Sequence, residues 1–271
     1  MLPGAGASEL KMNDPHVEAL IYRVEHGPGV DYDKAEALEY ETPSFNIRVD
    51  SGKARFELKD HYDTEEAARE AVEPFIRAWE VAVGLDQGPD KFALVFDTSE
   101  VVDRNPPPGV NIHATVGRMV ITAFDADVHL SHHNYPEPPE GLAVNHNVIS
   151  MNNRYLGYRR GKEPLAAMAH FCLTVLQASI GTTRKRRRIT AERYKISQPV
   201  LSKLGELTTN KGGLEARKAG GADEEFTVQE RQWIEATIKA IIRRAAEVAH
   251  GPGHKLQQIT FAGLPPLKPP A

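Results

Sequence analysis

The apolar positions of this chain change period partway along it. Three early runs, His16 to Glu25, Ser44 to Asp50 and Lys53 to Lys59, predict strands. In the last two, Phe45, Ile47 and Val49 and then Phe56 and Leu58 alternate, and Ser51-Gly52 between them predicts a hairpin, because glycine takes the positive φ of a tight turn. Next comes helical spacing. Ala67, Ala68, Ala71, Val72, Phe75, Ile76, Trp79 and Val83 recur at three and four residues, with Thr64 as cap and Gly84 as stop, so a helix with a stripe for a sheet face is expected. Strands are again expected at Lys91 to Phe96 and Arg118 to Leu130.

From about residue 151 the pattern is helical throughout. Pro164 suits a first helical turn, and LAAMAHFCLTVLQASI behind it is apolar on nearly all sides, as in a central core helix. After a basic connection, Ser197 is expected to cap SQPVLSKLGELTT, of which it is the first residue, where Val200, Leu204 and Leu207 share a face and Lys211-Gly212-Gly213 marks the end. Thr227-Val228-Gln229-Glu230 has the form of a capping box, opening a seam of Ile234, Ile238, Ile241, Ala245 and Val248. The expected class is α+β: an antiparallel sheet with one long helix over residues 12–135, then an all-α bundle over 151–271, joined near Tyr135 to Gly141. Ile259, Phe261, Leu264 and Leu267 in the Pro-rich tail are too apolar for a free linker, so the tail is expected to pack.

Composition refines this picture. With 41% hydrophobic and 26% charged residues in 271, the chain fits a soluble globular protein of two domains. Cys172 is the one cysteine, excluding an intrachain disulfide, and MLPGAGASELK has neither a basic leader nor an apolar run, so a cytoplasmic protein is expected. The apolar run Leu165 to Ile180 includes His170, Thr174, Gln177 and Ser179 and is shorter than the ~20 residues of a membrane span, so no membrane partner is expected. The net charge of −4 conceals opposed halves: residues 1–150 hold 12 Lys or Arg against 27 Asp or Glu, and 151–271 hold 21 against 10. Such halves attract each other, or the basic one meets a polyanion.

Candidate chemistry is sparse. Asp103-Arg104-Asn105 before three prolines reads as a stiff spacer. His129, His132, His133 and His146 lie around a Pro-rich loop but match no metal-ligand spacing, so neither metal nor cofactor is expected. Thr208 to Lys218 lacks the spacing of a phosphate loop and reads as an interhelical connection. The run Arg184, Lys185, Arg186, Arg187 and Arg188, followed by Arg193 and Lys195, is the candidate nucleic-acid surface. With no aromatic among them, contact with RNA would run through phosphate and ignore base sequence; a solvated loop or docking onto the acidic half are the other readings.

The last candidate is RRAAEVAHGP, residues 243–252. An arginine separated by a few residues from a histidine on a late helix resembles the signature of HEPN-type domains, helical bundles found in bacterial toxin and phage-defence ribonucleases. The resemblance implies a shared cleft between two protomers, with arginine on the scissile phosphate and histidine moving protons without a metal. Arg243 and His250 are the candidate pair, since seven helical steps of ~100° nearly return to one face, whereas Arg244 lies about 120° away. The chain departs from that pattern: Arg244 and not a polar residue follows Arg243, and a Pro-rich tail replaces a further helix. An ordinary reading accounts for the same residues, with Glu247 pairing to Arg243 or Arg244, His250 at the favourable C-terminal end, and Gly251-Pro252 stopping the helix. More broadly, FELKDHYDTEEAAREAVEPFIRAWE, DRNPPPG, RYLGYRRGKEPLAAMAHFCLTVL, KISQPVLSKLGELTTNKGGLEARK and QQITFAGLPPL look like an uncharacterised bacterial two-domain family, which implies a fold but no activity. The expectation is an HEPN-like interaction module in stress or defence with RNA contact and a homodimeric state; the alternatives are a metal-independent ribonuclease and a noncatalytic structural protein.

Overall fold

A computed structural model describes residues 13–32, 34–106, 113–117, 134–181, 185–211, 224–252 and 255–267. The expected strand at Arg118 to Leu130 and the histidines His129, His132 and His133 fall outside these residues, as does Arg184. The class is α+β, with an antiparallel sheet in the N-terminal part and helices after it. The chain divides into two compact units: residues 1–73 with 92–137, and residues 74–91 with 138–271.

In the first unit, strands β1 (Pro15–Glu25), β2 (Leu38–Glu41), β3 (Phe45–Asp50), β4 (Lys53–Leu58), β5 (Ala93–Asp103) and β6 (His113–Gly117) form a sheet of order β2-β3-β4-β1-β5-β6. Every neighbouring pair is antiparallel. The β3–β4 hairpin closes through Ser51 at φ 50° and Gly52 at φ 72°, the left-handed pair that matches strand twist. The Gly52 amide donates to the Tyr135 hydroxyl at 2.8 Å, and Tyr135 stacks on Tyr32 at 5.0 Å. Alternation places Phe45, Ile47, Val49, Ala54 and Phe56 in the core, while Arg48 pairs with Glu39 on the solvated face.

Helix α1 (Glu65–Gln87) begins at Thr64, whose hydroxyl accepts from the Ala67 amide at 3.2 Å. Its first turns dock on β5: the Ser99 hydroxyl donates to Glu65 at 2.8 Å, and the Arg69 guanidinium lies 4.3 Å from the centre of the Phe96 ring. The sequence reading assigns the whole helix to the sheet. Instead its second half groups with the helical unit, and the change falls at Pro74, which has no amide to return to the carbonyl of Glu70. Along that second half, burial is no longer one stripe, since Ile76, Ala78, Trp79, Val81, Ala82, Val83 and Leu85 are all buried.

In the helical unit, α2 (His146–Arg159), α3 (Leu165–Ala178), α4 (Arg186–Arg193), α5 (Gln198–Asn210) and α6 (Val228–His250) form a bundle centred on α3, which packs against the other four. Its core gathers Met151, Tyr155, Met168, Leu173, Leu204, Trp233, Ile238 and Ile242 with Val81 and Leu85 of α1. The capping box is complete: the Thr227 hydroxyl accepts from the Glu230 amide at 3.2 Å, and the Thr227 amide donates to the Glu230 carboxylate at 2.9 Å. Three local expectations are corrected. Ser197 holds the N-cap position of α5 without a side-chain bond there, Pro164 precedes α3 as its cap, and the basic connection is itself the helix α4. The tail packs on the bundle. Ile259 forms a parallel bridge with Ile196, Phe261 stacks on Trp233 at 5.6 Å, and Leu264 and Leu267 are half-buried against the core. Among the described residues no helix is long and apolar enough to cross a membrane.

At the start of β1, His16 is buried and stacked on His61 at 5.1 Å, and its Nδ1 has no hydrogen-bond partner. Burial, then the nearby charges of Arg104 and His61, hold its pKa below 6.5 against the opposing pull of Glu18 and Asp14. The unfolded chain therefore takes up this proton at higher pH than the folded one. This contribution is intact above about pH 6.5 and is lost as pH falls through the lowered value. Between about pH 7.5 and 5.5, the urea midpoint of the wild-type chain is expected to fall further than that of His16→Gln. Thr227→Ala removes one half of the capping box and is expected to cost about 1 kcal/mol in urea unfolding.

Candidate functional site

Helix α6 brings its charged end against two other segments. Arg244 is 6% exposed and fully engaged. Its Nη1 donates to the carbonyls of Tyr194 at 2.7 Å and Lys195 at 3.1 Å, its Nη2 to the carbonyl of Gln257 at 2.6 Å, and its Nε to Glu247 at 2.7 Å. A guanidinium has a rigid fork of donors suited to such a task, and buried carbonyls without donors are costly. Lys195 stands at φ 48°, a conformation unusual for a side chain other than glycine, and its carbonyl is one of those the arginine holds. Arg244 is thus a structural residue.

Arg243 points elsewhere. Its Nη2 donates to both carboxylate oxygens of Asp86 at 2.8 Å, and the two side chains are 44% and 56% exposed. Glu247, the sequence-expected partner of either arginine, is bound to Arg244. His250 ends α6 on an exposed position. Arg243 borders a groove of about 400 Å³ between the end of α1 and α6, which also includes Asp86, Lys239 and Ile259; His250 is not part of its lining. The two residues of the candidate pair therefore share an exposed side of the helix but not this cleft.

The basic run divides likewise. Lys185 is the exposed N-cap of α4, with no side-chain cap bond, and no acid stands in the first turn. The Arg186 Nε donates to the Gly181 carbonyl at 2.8 Å, Arg188 pairs with Glu192 at 2.6 Å, and Arg187 lies over Gly205, where an added Cβ would stand 3.0 Å from its Nη2. The helix buries only Thr190, whose hydroxyl donates to the Arg186 carbonyl. Tyr194, the aromatic at its end, is buried, exchanges a hydrogen bond with Ser179 and lies under Arg193 at 5.6 Å, so it offers no exposed face for a base to stack on.

Other chemistry is closed or structural. Burial pushes the Cys172 thiol up to about 12, so it holds no thiolate near neutral pH. His146 begins α2 and lies 3.5 Å from the Ser150 hydroxyl; among the described residues no cluster of His, Cys, Asp and Glu could hold a metal ion. Sequence reasoning missed the network in which Glu235 accepts from Tyr155, Tyr158 and Arg159, because its members belong to helices nearly eighty residues apart. It also missed Asp86 and Lys239 beside Arg243. No protein-family model matches the chain, and no curated protein or solved structure matches it.

The two adjacent arginines are expected to separate cleanly in stability. Arg244→Met leaves the Tyr194 and Gln257 carbonyls and Glu247 without this donor, the Lys195 carbonyl keeping the Ile259 amide, and is expected to cost about 3 kcal/mol or more in urea unfolding, whereas Arg243→Met breaks an exposed pair and costs less than about 1 kcal/mol.

Proposed function

We propose that this protein is a noncatalytic HEPN-like interaction module that contacts RNA through phosphate at helix α4. The observation behind this reading is the charge at the start of that helix. Lys185, Arg186, Arg187 and Arg188 occupy the end where the backbone already presents positive partial charge, and no acidic side chain offsets them in the first turn. That arrangement is unfavourable in isolation and is relieved by an anion, for which unpaired amides and guanidinium groups are the usual receptors. The Arg188–Glu192 pair does not neutralise the cluster, because its members are 53% and 59% exposed and such pairs are weak.

The ribonuclease alternative has less support. Arg244 is held by backbone carbonyls, and Arg243 lines a groove whose lining does not include His250. A module that binds RNA without cutting it needs neither group at its contact surface.

Fluorescence anisotropy with short single-stranded RNAs of unrelated sequence tests this reading. Replacing Lys185, Arg187 and Arg188 by Ser is expected to weaken all the RNAs alike and to flatten the slope of log K against log salt by about two units, at ~0.7 per lost contact. His250→Ala is expected to change neither binding nor the integrity of the RNA. Failure of the wild-type chain to retain RNA at low salt, or cleavage abolished by His250→Ala, overturns the proposal.

A further inference from the structure

The groove beside α6 has the composition of a small-molecule site, independently of the basic helix α4. Its apolar lining comes from Leu85 of α1, Ala236 and Ala240 of α6, and Ile259 of the tail. Its lining also includes Lys239 and Arg243, one helical turn apart on the same helix. Like charges at this spacing are mildly destabilising, and each normally finds a carboxylate. Arg243 has Asp86, but Lys239, only partly exposed, makes no hydrogen bond or ion pair among the described residues.

The charges around the groove leave a remainder. Arg244 is matched by Glu247 and Arg243 by Asp86, so the positive charge of Lys239 is the one left over. A monoanion balances the lining, while a dianion overshoots it. The Asp86 carboxylate itself shows what Arg243 accepts: a carboxylate, both of whose oxygens lie 2.8 Å from Nη2. That pair is exposed and therefore weak, so an incoming carboxylate can take the place of Asp86 at little cost. The volume of about 400 Å³ lies in the ordinary range of small-ligand sites.

We propose that this groove binds an amphipathic monocarboxylate, its carboxylate bridging Lys239 and Arg243 and its apolar body lying on Leu85, Ala236, Ala240 and Ile259, with Asp86 as a built-in competitor. The site needs no movement of Arg244, whose hold on Gln257 keeps Ile259 close to α6. It binds without covalent chemistry, and occupancy rises or falls with the competition between ligand and Asp86 for one guanidinium.

Isothermal titration of the full chain with octanoate, octanol and inorganic phosphate tests the proposal. Octanoate is expected to bind, octanol to bind at least about tenfold more weakly, and phosphate not to displace octanoate at equal concentration. Lys239→Gln is expected to weaken octanoate about tenfold, as loss of a hydrogen bond to a charged group does. Asp86→Asn is expected to do the reverse, tightening octanoate about twofold to fivefold by removing the competitor. A chain that does not bind octanoate, that binds octanol equally well, that yields octanoate to phosphate, or in which Lys239→Gln is neutral overturns it. Should Lys239→Gln fail to fold, Asp86→Asn decides alone, and weaker binding by that variant overturns the proposal.

Discussion

The helical unit depends on one buried guanidinium. Arg244 is the point at which three stretches of chain, the end of α6, the Tyr194-Lys195 turn and the tail at Gln257, share a single set of donors. Burying a charge is costly unless it is both paired and hydrogen-bonded, and here Glu247 supplies the pairing and three carbonyls the bonds. The turn so held then offers its neighbours for further bonding: the Ile259 amide donates to the Lys195 carbonyl and the Ser197 amide to the Ile259 carbonyl. Tail, turn and helix are thereby one hydrogen-bonded assembly rather than three separate packings.

This arrangement also decides the meaning of the arginine pair. In the sequence, Arg243 and Arg244 differ only by a rotation of ~100° about the helix, which sets Arg243 rather than Arg244 near the face of His250. In the fold that rotation separates a residue facing carbonyls in the interior from one facing a carboxylate at the surface. The helical count correctly places Arg243 with His250 on the outer side, yet a shared side is a weaker condition than a shared cleft.

Legibility followed the strength of local signals. The Ser51-Gly52 hairpin and the Thr227 capping box were readable because their chemistry is complete within four residues. Helix α2 has the spacing of a helix face at Val148, Met151, Asn152 and Tyr155, but the buried asparagine interrupts the apolar stripe. Helix α4 has no stripe to read, since it buries only Thr190, and strand β2, at four residues, is too short to show a period. The groove was illegible for a different reason. Asp86 and Arg243 are 157 positions apart, and no spacing rule reaches that far.

The placement of the aromatic indoles has an optical consequence. The chain contains two tryptophans, Trp79 and Trp233, both fully buried and both within the helical unit, the first because the second half of α1 belongs there. Trp233, in the core of the bundle and stacked on Phe261, therefore reports on the packing of the helices and the tail. The sheet unit has tyrosines such as Tyr22, Tyr32 and Tyr135 but no indole, so the residues of that unit emit only in the tyrosine band.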